Sequence, residues 1–274
     1  MSRRIINRRP DRGGRIAWGA FPFILAIIAY FIFSALRLAD NPNDKLLPGL
    51  AAFGAAIHRM AFAQDMRTGE ILLWVDTLAS LGRLAMGLAV ATLLGLVFGI
   101  ATGVIPYVRS GLSPFIAVVS MVPPMAILPI LFIVFGLDEL SKVVLIVIGI
   151  TPFLIRDLTL RVTDMPGELL IKAQTLGAST WQIILRVVLP QMAPRLADAI
   201  RLSLGPAWLF LISAEAIAAT DGLGYRIFLM RRYMAMDVIL PYVAWITFLA
   251  FMMDWALRVF NRRCFPWLAS TDGS

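Results

Sequence analysis

Few titratable residues of this sequence sit in an unusual setting. Glu215 is the one carboxylate well inside an apolar stretch, Leu202–Thr220. A carboxylate at membrane depth is costly unless it is hydrated or paired. Two roles fit it: a residue lining a pathway or gate, or a structural partner of Arg83 or Arg201. Asp254, within Val238–Leu257, stands four residues before Arg258, and an i,i+4 ion pair near an interface accounts for it. Neither group supplies catalysis. The sequence contains no G-x-x-x-x-G-K-[ST] phosphate loop, no H-E-x-x-H and no G-x-S-x-G elbow. A single cysteine, Cys264, excludes an intrachain disulfide and a multi-cysteine metal site, and a single histidine, His58, leaves no ligand set for zinc or haem. No catalytic residue, metal or bound cofactor is therefore expected in this chain.

Two segments promise mechanical rather than chemical work. Met121-Val122-Pro123-Pro124-Met125 lies inside the apolar stretch Leu112–Leu137. Proline removes a backbone donor and clashes with the preceding turn, so a helix there must kink or break. Broken backbone at that depth is tolerated only inside protein or beside a water-filled cavity. Met121, Pro123, Pro124, Met125 and Glu215 are thus candidate pathway residues, a plain kink being the alternative. The second segment is the loop 164–190. Pro166-Gly167 ends one element, and Glu168 suits the first turn of the next helix. Leu169, Leu170, Ala173 and Leu176 recur at helical spacing, Gly177 can close that helix, and Ser179 can cap another. An apolar stripe on such a knuckle docks into a partner's groove or lies on lipid.

The elements that would hold these residues are membrane helices. The 274-residue chain is 59% hydrophobic and 15% charged, with a mean hydropathy of +0.82, against about 25% charge for soluble domains. Six apolar segments are expected to span the bilayer: Ile16–Leu36, Leu84–Ile105, Leu112–Leu137, the short Val143–Ile155, Leu202–Thr220 and Val238–Leu257. In the short one Lys142 and Arg156 would have to snorkel. The first is read as a retained span, since no small-residue cleavage site follows it. The net charge of +8 would suggest nucleic acid in a soluble protein; here it reflects a positive-inside bias. With the arginine-rich flank 1–15 inside, sixteen of the 25 basic residues fall on the cytoplasmic side, and both termini are expected there. The division expected is a flank 1–15, a first span 16–38, an outer connection 39–76 with a short surface helix, a five-helix unit 77–266 and a tail 267–274. Gly87, Ala91, Gly95, Gly99 and Gly103 put small residues on one face of the second span, for packing within the chain or, less favoured, a dimer seam. Arg226, Arg231 and Arg232 break the charge trend outside. They read as a rim for an acidic partner or anionic solute, or as a phosphate-facing run.

The spacing Ala173, Gly177, Val187-x-Leu189-Pro190 resembles the E-A-A loop of ABC importer permeases. Val122–Pro129, Phe135–Lys142, Arg201–Trp208 and Ala214–Gly224 resemble the nitrate/sulfonate/taurine branch of that family. The likeness covers roughly Thr77 to Pro266. It departs where the family glutamate falls on Ile171 and the first alanine on Lys172, which puts a salt bridge from that carboxylate in doubt but leaves docking intact. The resemblance implies an all-α type I importer permease with six transmembrane helices in the bacterial inner membrane. It also implies a second permease copy, as a homodimer, two cytoplasmic ATPase subunits that hold ATP and Mg, and a periplasmic or lipid-anchored substrate-binding protein. Glu168, Leu169, Leu170, Lys172, Ala173, Leu176, Gly177, Ala178 and Ser179 would couple the chain to the ATPase, and Trp208 joins the pathway candidates. The cargo would be a small anionic or zwitterionic nutrient moved by alternating access. The alternative, from another class, is an ion-gradient-driven secondary transporter or channel, for which Glu215 would be the ion site.

Overall fold

Residues 11–42, 44–66 and 68–268 are described by a computed structural model, and they are helical almost throughout. Arg3, Arg4, Arg8 and Arg9 of the expected flank, and the tail from residue 269 on, lie outside the described residues. The first helix, α1 (Arg12–Asp40), exposes apolar side chains on every side, Ile16, Phe23, Phe33 and Leu36 among them. A helix apolar all round suits lipid rather than water. Ser34 Oγ donates to the Leu47 carbonyl (2.9 Å) and Tyr30 to that of Pro48 (2.8 Å), which ties α1 to the connection ahead of α2 (Leu50–Ala61). This α2 is a short helix within the connection 39–76.

The core is formed where α3 (Leu72–Val104) lies against α6 (Glu139–Thr163). The small-residue face of α3 meets α6 inside the chain. A Cβ built on Gly87 would stand 2.8 Å from Ile146, on Gly95 2.7 Å from Leu154, on Gly99 2.7 Å from Leu158, and on Gly103 2.5 Å from Val162. The glycines thus let two backbones approach to a distance that alanine forbids. Leu84, Leu145, Ile146, Leu154 and Leu158 are fully buried along this seam.

Several expected boundaries move, that of the fifth span among them, since its helix starts at Leu189 rather than Leu202. The second span starts twelve residues early, at Leu72, and carries Asp76 and Arg83 within the helix. The expected short span is a 25-residue helix, α6, that continues past Arg156 to Thr163. Its charges do not stop it, because Lys142 Nζ reaches Glu139 Oε1 at 2.9 Å and Arg161 Nε reaches Asp157 Oδ2 at 2.6 Å. Lys142 therefore does not snorkel: it is buried beside Glu139. The third span is two helices, α4 (Pro106–Val119) and α5 (Pro124–Phe135), which meet at 93°. Consecutive prolines remove two donors, and Pro124 drives the residue before it out of the helical region. The described chain therefore has five helices long and apolar enough to cross a membrane, and a sixth span if the bent pair counts as one.

Beyond α6 come α7 (Gly167–Thr175), α8 (Thr180–Ile183) and a π-helical turn (Ile184–Val188) that runs into α9 (Leu189–Ala218). A short α10 (Leu223–Arg231) packs on α9, and α11 (Met236–Cys264) closes the bundle against both. Asp254 meets Arg258, as expected, and also Arg201 at 2.9 Å.

Candidate functional site

Three places gather the residues singled out above. The first is the knuckle between α6 and α9. Glu168 and Lys172 lie at opposite ends of α7, where their charges complement the helix dipole. At the far end Gly177 adopts φ +78°, and the Ala178 N–H returns to the Ala173 carbonyl at 3.0 Å. That left-handed turn favours glycine for backbone reasons alone, since nothing stands within 4 Å of a Cβ there. Ser179 then caps α8 reciprocally with Gln182: the Gln182 N–H donates to Ser179 Oγ (3.3 Å), and the Ser179 N–H to Gln182 Oε1 (2.8 Å). The apolar stripe divides. Leu170, Ala173 and Ala178 rest half-buried on the core, whereas Leu169, Ile171 and Leu176 point outward, Leu176 at 87% exposure. Trp181 on α8 is exposed beside them. One side thus fastens the knuckle to the bundle, and the other leaves apolar area uncovered.

The second place is an ionic cluster at the α6 N-terminus. Arg83, 5% exposed, donates from Nη1 to Glu215 Oε1 (2.7 Å) and to the Asp221 carbonyl (3.0 Å). It also pairs with Glu139 and with the Asp221 carboxylate. Glu215, fully buried, takes further hydrogen bonds from Ser80 Oγ (2.8 Å) and the Gly224 N–H (2.8 Å). Beside it, buried Asp76 accepts from Arg226 Nε (2.8 Å), the Gly222 N–H (2.9 Å) and the Tyr242 hydroxyl (3.2 Å). Burial alone would weaken the hold of Arg226 on its proton, but Asp76 outweighs it and keeps the guanidinium above its ordinary pKa. Gly222 has φ +114°, and a Cβ there would stand 2.6 Å from the Glu215 carboxyl. Of the two roles read for Glu215, the structure displays the ion pair, with Arg83 rather than Arg201. Arg226 is likewise engaged and is not part of an open rim; Arg231 and Arg232 are exposed.

The third place is the corner between α4 and α5. Met121 and Pro123 are exposed at its tip, with Pro124 and Met125 on the first turn of α5. Below it lies a cavity of about 420 Å³, lined by Ser120, Pro124, Phe153, Arg156, Asp157 and Phe210 among others. Of the six candidate pathway residues only Pro124 lines this cavity. Trp208 is buried inside the bundle with no partner for its indole N–H among the described residues, and Glu215 sits in the ionic cluster. The six therefore do not converge on one space.

Residues 91–265 match the family described as the binding-protein-dependent transport system inner membrane component. The chain is 38% identical to the taurine transport system permease protein TauC of Escherichia coli over 198 residues, 72% of either chain. The chain belongs to the permeases of binding-protein-dependent ABC importers. This permease is also 30% identical to the putative aliphatic sulfonates transport permease protein SsuC of Bacillus subtilis over 215 residues, 78% of this chain and 77% of that one. With the nitrate import permease protein NrtB of Synechococcus elongatus it shares 31% identity over 156 residues, 57% and 56% of the two chains. Its fold is similar to a chain of the MetNI methionine ABC transporter in inward-facing conformation, with a TM-score of 0.61 at 20% identity over 70% of this chain and 95% of that one. The permease is thus a multi-pass inner-membrane protein and a transport subunit rather than an enzyme, and its family implies ATPase and binding-protein partners. Membership also removes the ion-gradient alternative.

Sequence reading missed Ser80, Asp76, Glu139 and Asp221 as members of the ionic cluster. One signal was present: Asp76, Ser80 and Arg83 recur at spacings of four and three, one face of a helix that continues into Leu84.

Proposed function

We propose that the permease, paired with a second copy of itself, forms the path by which a small anionic or zwitterionic nutrient enters the cell. The cargo class is drawn from relatives named for taurine, aliphatic sulfonates and nitrate. Two cytoplasmic ATPase subunits bind ATP and Mg and grip the α7–α8 knuckle. A periplasmic or lipid-anchored binding protein delivers cargo to the opposite side, both termini being cytoplasmic. Closure of the ATPases moves the knuckle, and the π-helical turn, continuous with α9, passes that movement to the spans. The coupling surface is Glu168, Leu169, Lys172, Leu176, Gly177 and Ser179, with Leu170, Ala173 and Ala178 as its root. Met121, Pro123, Pro124 and Met125 mark the bend that borders the path.

The observation that carries this reading is the division of the α7 stripe, with Leu170 and Ala173 fastened inward and Leu169, Ile171 and Leu176 left uncovered. Apolar groups arranged this way favour insertion into a groove of matching shape. The mechanism does not need the family carboxylate, whose position is taken by Ile171. Gly177→Trp tests it, because the φ of +78° disfavours any side chain. Loss of ATPase co-purification, or ATP hydrolysis without uptake, is the expected result; unchanged co-purification and unchanged uptake would refute it.

A further inference from the structure

We propose that Arg156, oriented by Ser120 at the corner between α4 and α5, forms a subsite for the anionic end of the cargo, a small oxyanion or sulfonate. The inference rests on the cargo class argued above and assigns that cargo a position. Arg156 lies seven residues before the end of α6, about 10 Å up the helix from its terminus. An arginine within a spanning helix pairs with a carboxylate, snorkels to the interface or marks a solute path. Arg156 makes no ion pair among the described residues; Nη1 donates to Ser120 Oγ at 2.9 Å, and the side chain is exposed to the cavity. The neighbouring Asp157 lines the same cavity, but its carboxylate is held by Arg161 at 2.6 Å, which leaves the Arg156 guanidinium as the group there without an ion-pair partner among the described residues.

The walls suit the rest of a small solute. Phe153 and Phe210 supply apolar faces, and Phe210 reaches its place because residue 149 is glycine: a Cβ there would stand 2.3 Å from the ring. The cavity of about 420 Å³ falls in the range of ligand pockets, about 300–1,000 Å³. Ser120, at the C-cap of α4, donates its hydroxyl to the Ala117 carbonyl (2.8 Å) and accepts from Arg156, so it orients the guanidinium. The bend thus has a use beyond geometry: it holds the hydroxyl that orients the arginine toward the cavity.

The test uses the whole complex, permease with its ATPase and binding protein, in proteoliposomes, with taurine and nitrate as probes. Arg156→Gln is expected to lower uptake about tenfold or more, the effect of losing one charge-assisted hydrogen bond. ATP hydrolysis stimulated by the loaded binding protein should persist. Arg156→Lys should retain roughly a third of uptake, as a charge without the planar fork, and Ser120→Ala should fall between the two. Uptake by Arg156→Gln within about twofold of wild type overturns the proposal. So does parallel loss of uptake and ATP hydrolysis with no rescue by lysine, which marks a structural arginine. A lipid phosphate has the same chemistry, so phospholipid retained by the detergent-purified complex is counted by native mass spectrometry for wild type and Arg156→Gln. Loss of a bound phospholipid in Arg156→Gln assigns Arg156 to lipid and overturns the proposal; equal retention with reduced uptake supports it. If the wild-type complex carries neither taurine nor nitrate, the cargo class itself is wrong and this subsite falls with it.

Discussion

Arg83→Met would remove the cation that joins α3, α6 and α9. Glu215 is fully buried and depends on that cation, whereas the side chains of Glu139 and Asp221 are 62% and 40% exposed and remain hydrated without it. The cost therefore falls mainly on Glu215, left with Ser80 and one backbone N–H. Leaving a buried charge without its partner costs about 3–5 kcal/mol, and at about 2–4 °C per kcal/mol for a chain of this size the melting midpoint should fall by roughly 6–20 °C. Thermal unfolding of the purified permease in detergent, followed by tryptophan fluorescence, reads this directly. Glu215→Leu alone should also destabilise, because Arg83 then keeps only its more exposed partners. The double variant Arg83→Met/Glu215→Leu should recover part of the loss, since replacing both members of a buried pair is often near neutral. A midpoint for Arg83→Met within about 2 °C of wild type, at most about one kcal/mol by the same scale, would refute the reasoning. A double variant less stable than the sum of the two singles would refute it equally.

Two further predictions concern glycines. Gly103→Leu should destabilise by about 1–3 kcal/mol or more through overpacking, because even a Cβ at Gly103 meets Val162 at 2.5 Å; the permease's melting midpoint checks it, with Gly111→Ala, which faces open space, as the mild control. Gly222→Ala combines φ +114° with a Cβ at 2.6 Å from the Glu215 carboxyl. It should cost about 1–3 kcal/mol and lower the midpoint more than Gly69→Ala, whose positive φ carries no collision.

Much of this architecture could be read from the chain because membrane depth and helix periodicity leave direct marks. The small-residue face of α3 is visible as Gly87, Ala91, Gly95, Gly99 and Gly103, and the Pro123-Pro124 pair announces a discontinuity. The size of the bend does not follow from the prolines, since 93° depends on where α5 finds a surface to pack on. Hydropathy places the start of α3 too late because it treats Asp76 and Arg83 as ends of a span. Their partners, Arg226 and Glu215, lie more than 130 positions away, and only the fold shows that these charges cancel. Hydropathy likewise ends the α6 span at Ile155, because the Asp157–Arg161 pair that carries the helix onward is a local contact hidden in a polar stretch. On α7 the stripe was legible, but periodicity assigns residues to a face without saying what meets it. Leu170 and Ala173 turned inward, leaving Leu169, Ile171 and Leu176 as the surface that needs a partner.

That surface offers the most direct measurement of the central claim. With Cys264, exposed near the end of α11, replaced by serine, a cysteine at Leu176 (Leu176→Cys) provides a single reporter. Leu176 is 87% exposed in the chain by itself, so a water-soluble maleimide should label the lone permease readily. In the assembled complex the ATPase groove covers the site, and labelling should slow by about tenfold or more, as for a residue in the buried centre of an interface. Cysteine at Ser110, on exposed α4 away from the knuckle, should label equally in both states. Equal labelling of the Leu176 reporter with and without the ATPase would contradict the account.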